Sequence, residues 1–80
     1  MTGDELKTSF GQQVRYLRRA SDMTQEKLAE AVNCSTEYIS RIERGLVSPS
    51  FEVIAAIAAA IGVEPSTLFD FVHLRSHLKK

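Results

Sequence analysis

Two short apolar stripes separated by Asn33-Cys34-Ser35 constrain this chain more than any other feature. Leu28, Ala29 and Val32 stand at i, i+1 and i+4, which is one helical face; Ile39 and Ile42 form a second. Asn is the non-glycine residue that best tolerates a left-handed backbone, and Ser35 is a good N-cap for a second helix. The chain therefore stops one helix, turns sharply and starts another within residues 24–45. That is the pattern of a helix-turn-helix, a geometry able to set a short helix in the DNA major groove.

The flanks of this stretch fit the same reading. Thr24 caps the first of the two helices, and Met23 with Leu28 has the spacing of a hydrophobic staple; Cys34 with Ile39 repeats it around Ser35. Gln25 and Glu26 fall in a first turn, where backbone N–H groups lack helical partners and can meet a phosphate oxygen together with the Gln25 side chain. Gly45 is a suitable residue just past the end of the second helix.

Eighty residues make one domain, and a chain this short favours a compact all-helical fold with short connections. No signal peptide is expected, since residues 1–10 are polar, and the longest apolar run, residues 53–61, is too short to cross a bilayer. The single cysteine, Cys34, forms no internal disulfide and fits a cytoplasmic location. Net charge is zero, which alone argues weakly against nucleic acid. Its distribution is uneven. Arg15, Arg18, Arg19, Lys27, Arg41 and Arg44 precede residue 46, whereas residues 46–70 hold Glu52, Glu64 and Asp70 and no Lys or Arg. One side of the molecule can face phosphate while the other faces elsewhere.

Residues 1–8 are expected to form a flexible or partly helical arm. Thr8 or Ser9 is expected to cap a first helix running to about Ala20, with Phe10, Val14 and Leu17 inward. Asp22 suits a left-handed turn position. Ser50 caps a fourth helix in which Val53, Ile54, Ile57, Ala58 and Ile61 form the core stripe and Gly62 ends it. Pro65 starts a fifth helix with Leu68 and Phe69 inward. The domain spans residues 9–71 and residues 72–80 form a tail or helix extension. No strand pattern is seen.

The recognition helix is placed at about 35–44. Because Ile39 and Ile42 face the core, Thr36, Glu37, Tyr38, Ser40, Arg41 and Arg44 face outward. Arg41 can donate two hydrogen bonds to a guanine, and Glu37 can accept from a cytosine amino group. Tyr38 suits a phosphate or sugar contact. The bland alternative is an ordinary solvated face. Arg18 and Glu43 lie near the inner margins of their helices and are expected to form a structural ion pair, against the alternative of two separate surface charges. His73 and His77 share i, i+4 spacing without a third ligand nearby, so no metal site is expected. No catalytic constellation, cofactor site or small-molecule site is evident, and an enzyme is not expected. Either Phe71 and Val72 finish the core and the rest is a loose tail, or Phe71, Val72 and Leu74 supply a homodimer interface, which would double a small DNA contact.

Over about residues 10–69, and most strongly in the motifs TQEKLAEAV, YISRIERG, SPSFEVIAAIAAAIGV and STLF, the chain resembles the phage-repressor type of helix-turn-helix, the Cro/C1 or xenobiotic-response-element (XRE) family. The resemblance implies a five-helix all-α domain that binds operator DNA, usually as a dimer on a two-fold site. It places Gln25, Thr36, Glu37, Ser40 and Arg41 at the family's main DNA-contacting positions, Arg18 and Glu43 at its bracing pair, and Thr24, Arg44 and Leu46 where backbone contacts are usual. Asn33 and Asp22 replace glycines common in the pattern, and Leu46-Val47 stands where a basic or polar loop is common. A lone domain of this kind resembles restriction–modification controller proteins, small phage repressors and some antitoxin-type regulators. The reading is a cytoplasmic, sequence-specific transcriptional regulator that binds double-stranded operator DNA as a homodimer, without a membrane or small-molecule partner. The alternative is a protein-interaction module, such as an antitoxin-type partner, acting through its apolar C-terminal face.

Overall fold

The computed structural model describes residues 1–71. They form α1 (Gly3–Ala20), α2 (Gln25–Ala31), α3 (Thr36–Glu43), α4 (Phe51–Ile61) and a 3-10 helix (Pro65–Phe69). Each α-helix begins with the same chemistry. Thr2, Thr24, Ser35 and Ser50 are extended N-cap residues whose hydroxyls accept from the Glu5, Lys27, Tyr38 and Val53 N–H groups. The helix ends also share one device. After α1, α2 and α3 the chain enters the left-handed region at Asp22 (φ 57°), Asn33 (φ 59°) and Gly45 (φ 74°). The next residue then reaches back: Met23 N–H donates to Arg18 O at 3.1 Å, Cys34 to Ala29 O at 3.0 Å, and Leu46 to Arg41 O at 2.9 Å. This is the Schellman arrangement, which satisfies carbonyls a helix end would leave exposed.

Two expectations are corrected. The first helix starts at Gly3, not at a Thr8 or Ser9 cap. Thr2 and Glu5 form a reciprocal capping box, with Thr2 N–H donating to Glu5 Oε1 at 2.7 Å and Glu5 N–H to Thr2 Oγ1 at 3.1 Å. Thr8 instead sits inside the helix and returns its hydroxyl to Asp4 O at 3.1 Å. Among the described residues there are four α-helices, and the fifth element is a single 3-10 turn. Its five residues close i→i+3 bonds, Thr67 N–H to Glu64 O at 2.9 Å and Asp70 N–H to Thr67 O at 3.2 Å, which delivers Leu68 to the core.

One core joins these elements. It contains Phe10 and Val14 of α1, Leu28 and Ala29 of α2, Ile39 and Ile42 of α3, Ile57 and Ala58 of α4, then Leu68 and Phe71. α3 packs on both α1 and α2, so the helix with the polar outer face has its inner face held from two sides. The approach to α1 is close. A Cβ on Gly11 would overlap Ile42 O and lie 2.7 Å from Glu43 O, so only glycine lets α1 touch the backbone at the end of α3. Gln13 is buried as well and donates to Thr67 O at 2.8 Å, fastening α1 to the 3-10 helix.

Candidate nucleic-acid interface

The outer face of α3 is set by which residues its core contacts consume. Ile39 and Ile42 are 0% and 1% exposed, and the remaining positions are divided by the 3.6-residue period. Thr36, Glu37, Arg41 and Arg44 are exposed and Ser40 is half-buried. Tyr38 departs from the expected outward set: it is half-buried, with its side chain packed against the core. Thr24 is exposed at the start of α2 with its hydroxyl engaged as a cap, and Leu46 is exposed at the end of the α3 turn.

Charged groups on this face are already paired with each other. Arg41 Nε donates to Glu37 Oε2 at 3.2 Å, one helical turn apart, and Arg44 Nη2 lies 3.5 Å from the same oxygen. Arg44 Nε also donates to Ser40 O at 3.4 Å. Thr36 and Glu37 lie in the first turn, where the positive end of the helix dipole favours a carboxylate or a phosphate.

Beneath the face is a buried polar hub. Glu43 accepts four hydrogen bonds: from Arg18 Nε at 2.6 Å and Nη2 at 3.1 Å, from Gln25 Nε2 at 3.0 Å and from Arg15 Nε at 3.5 Å. Arg18 spends its Nη1 on Met23 O at 2.7 Å. The side chains of Arg18 and Glu43 are 8% and 0% exposed. Burial alone would raise the Glu43 pKa. The hydrogen bonds from Arg18 and Gln25, the Arg18 charge and the Arg15 hydrogen bond outweigh it, and the carboxyl lies below its ordinary range. Residues from α1 (Arg15, Arg18), α2 (Gln25) and α3 (Glu43) thus meet at one carboxylate. The expected pair is a four-residue cluster that fixes the end of α3 against both neighbours.

Arg15 and Gln25 are partners of Glu43 that the sequence pattern does not single out. Arg15 and Arg18 stand at i, i+3, so they project from one face of α1, and that spacing is the available signal for Arg15. Nothing local points Gln25 inward. Its amide nitrogen is committed to Glu43, while its backbone occupies the first turn of α2. Phe71, expected at a dimer interface, is 7% exposed and sits in the core beside Phe69, ring centroids 6.3 Å apart. Val72 and Leu74, and the His73–His77 pair, lie outside the described residues. Cys34 packs against the core, and burial pushes its thiol pKa up.

A polar helix face carried on a braced helix-turn-helix defines a class, and comparison with known proteins agrees. Residues 14–68 match the HTH_3 helix-turn-helix family, more than half of the chain, and the protein belongs to it. It is a DNA-binding transcriptional regulator of the XRE, or Cro/C1, type. Among its relatives is the control protein C.BamHI of Bacillus amyloliquefaciens, 44% identical over 69 residues, covering 85% of each chain. The control protein C.MunI of a Mycoplasma species is 31% identical over 68 residues, covering 84% of this chain and 92% of its own. The solved restriction–modification controller protein C.AhdI of Aeromonas hydrophila superposes with a TM-score of 0.76 at 37% identity, over 78% of this chain and 94% of that one. Among the described residues no helix is long and apolar enough to cross a membrane.

Proposed function

We propose that this protein is a controller-type transcriptional regulator acting in the cytoplasm, which inserts α3 into the major groove of a two-fold operator as a homodimer. In this reading Thr36, Glu37, Ser40 and Arg41 face base edges. Thr24, Gln25, Arg44 and Leu46 follow the backbone, where N–H groups at the α2 start and the Arg44 charge suit phosphate. Tyr38, half-buried, offers its hydroxyl end to sugar or phosphate. Arg18 and Glu43 brace the reading helix without touching DNA.

The observation that carries the reading is the buried Glu43 hub under an exposed, polar α3. A helix that only covered a core would not need two arginines and a glutamine spent on fixing its end. The relatives named as control proteins, with the solved neighbour named as a restriction–modification controller protein, favour DNA regulation over the antitoxin-type interaction module. Pairing is proposed because one short helix touches few base pairs, and two copies on one site multiply affinity. Of the residues expected at that interface, Phe71 belongs to the core of a single copy, and Val72 and Leu74 lie outside the described residues.

Selection from a pool of random duplex DNA tests the proposal. One enriched two-fold sequence is expected, with affinity falling steeply as salt rises. A pool left unenriched, or binding indifferent to salt, would contradict it.

A further inference from the structure

The ion pairs on the reading face do more than base contact requires. Both guanidiniums that α3 offers to DNA converge on one oxygen, Glu37 Oε2, at 3.2 Å from Arg41 and 3.5 Å from Arg44. The three side chains are exposed, 66% for Glu37, 55% for Arg41 and 48% for Arg44, so the cluster contributes little to folding. Its effect falls on binding. A phosphate approaching this face meets two cations already facing a carboxylate, and it is repelled by that carboxylate.

We propose that Glu37 is a specificity-determining residue that acts through its charge, by suppressing attachment to non-cognate DNA. The inference rests on α3 being the DNA-reading helix. On an arbitrary sequence the complex gains mainly phosphate attraction, and for that gain Arg41 and Arg44 must leave Glu37 while its charge stays next to the backbone. On a matching sequence the same exchange is offset. Arg41 gains paired base acceptors, and Glu37 finds an amino donor on a cytosine. The carboxylate therefore penalises the wrong site more than the right one. A chain of zero net charge discriminates by keeping its nonspecific affinity low.

Glu37→Gln separates charge from contact, because glutamine keeps the length and an acceptor oxygen. The unsubstituted protein, Glu37→Gln and Glu37→Asp are titrated onto the selected duplex and a shuffled duplex at several salt concentrations. At about 50 mM salt Glu37→Gln is expected to bind the shuffled duplex roughly tenfold more tightly, with a log–log salt slope steeper by about one. On the selected duplex the weaker, uncharged contact to cytosine opposes the gain in phosphate attraction, so affinity there rises by less than on the shuffled duplex or falls, and the ratio between the two duplexes drops by at least about threefold. Glu37→Asp, which keeps the charge and not the reach, retains weak binding to the shuffled duplex. Equal weakening on both duplexes by Glu37→Gln, or an unchanged ratio between them, overturns the inference while leaving the operator reading intact. If the unsubstituted protein selects no sequence, the operator reading fails and this inference with it.

Discussion

Glu43 shows how one residue converts local sequence into a rigid reading surface. Its carboxylate is buried, yet it stays ionised because Arg18 supplies two of its four hydrogen bonds and a full counter-charge. Replacing it with glutamine leaves the Arg18 charge buried without compensation, and Glu43→Gln is expected to destabilise the fold by roughly 3–5 kcal/mol in urea unfolding. The pH dependence has a definite sign. The folded pKa is lowered, so the stabilisation is complete above the unfolded value of about 4.3 and is lost as pH falls through the lower folded value. Glu43→Gln should remove that part of the acid limb; an unfolding curve with an unchanged acid limb would assign the acid sensitivity to other carboxylates. At this scale the sequence is legible where chemistry is local. Asn33 and Asp22 announce left-handed turns because their short polar side chains tolerate them. Gly11 and Gln13 give no such signal. Their importance arises from how near α3 and the 3-10 helix come to α1, which no periodicity within α1 contains.

The helices are built from repeated short devices, and these are the most readable part of the chain. Thr24, Ser35 and Ser50 read as caps, and each hydroxyl accepts an N–H three residues on, at 3.0, 3.0 and 3.2 Å. The same rule applied at the N-terminus finds Thr2 with Glu5, but residues 1–8 carry few apolar residues and so read as an arm. The fifth element differs for another reason. Pro65 marks a helix start without setting its length, and five residues ending before Asp70 support only one tight turn. Ser35 is the cap that matters for the proposed function, because it fixes where α3 begins and therefore which residues would reach the groove. Ser35→Ala is expected to lower stability by about 1 kcal/mol and to weaken binding to the selected duplex. Circular dichroism with thermal melting checks the first part, and a loss below about 0.3 kcal/mol would mean that the hydroxyl contributes little.

At the scale of the whole molecule, cations are confined to part of the described chain: residues 46–70 have none. Residues 46–70 carry only acidic charge, whereas residues 1–45 hold basic and acidic side chains in equal number, so any cation offered to phosphate has to be read side chain by side chain rather than from net charge. The described surface near the start of α4 exposes Phe51 at 85%, with Leu6 and Phe69 at 40% each around a shared groove. The chain binding as a pair predicts a dimer mass at micromolar concentration in sedimentation, and two protein copies per selected duplex. A single copy per duplex at saturation would overturn the pairing.

The central claim is that α3 reads base edges in the major groove, with Arg41 on a guanine. Methylating guanine N7 places a methyl group in that groove at the acceptor Arg41 would use. Interference mapping on the selected duplex is expected to show blocking guanines in both half-sites, about one helical turn apart. With Arg41→Ala, overall binding should weaken by roughly 1–3 kcal/mol per half-site and the sensitivity at that guanine should vanish. Strong binding that no guanine N7 methylation disturbs, or a pattern unchanged by Arg41→Ala, would contradict the account.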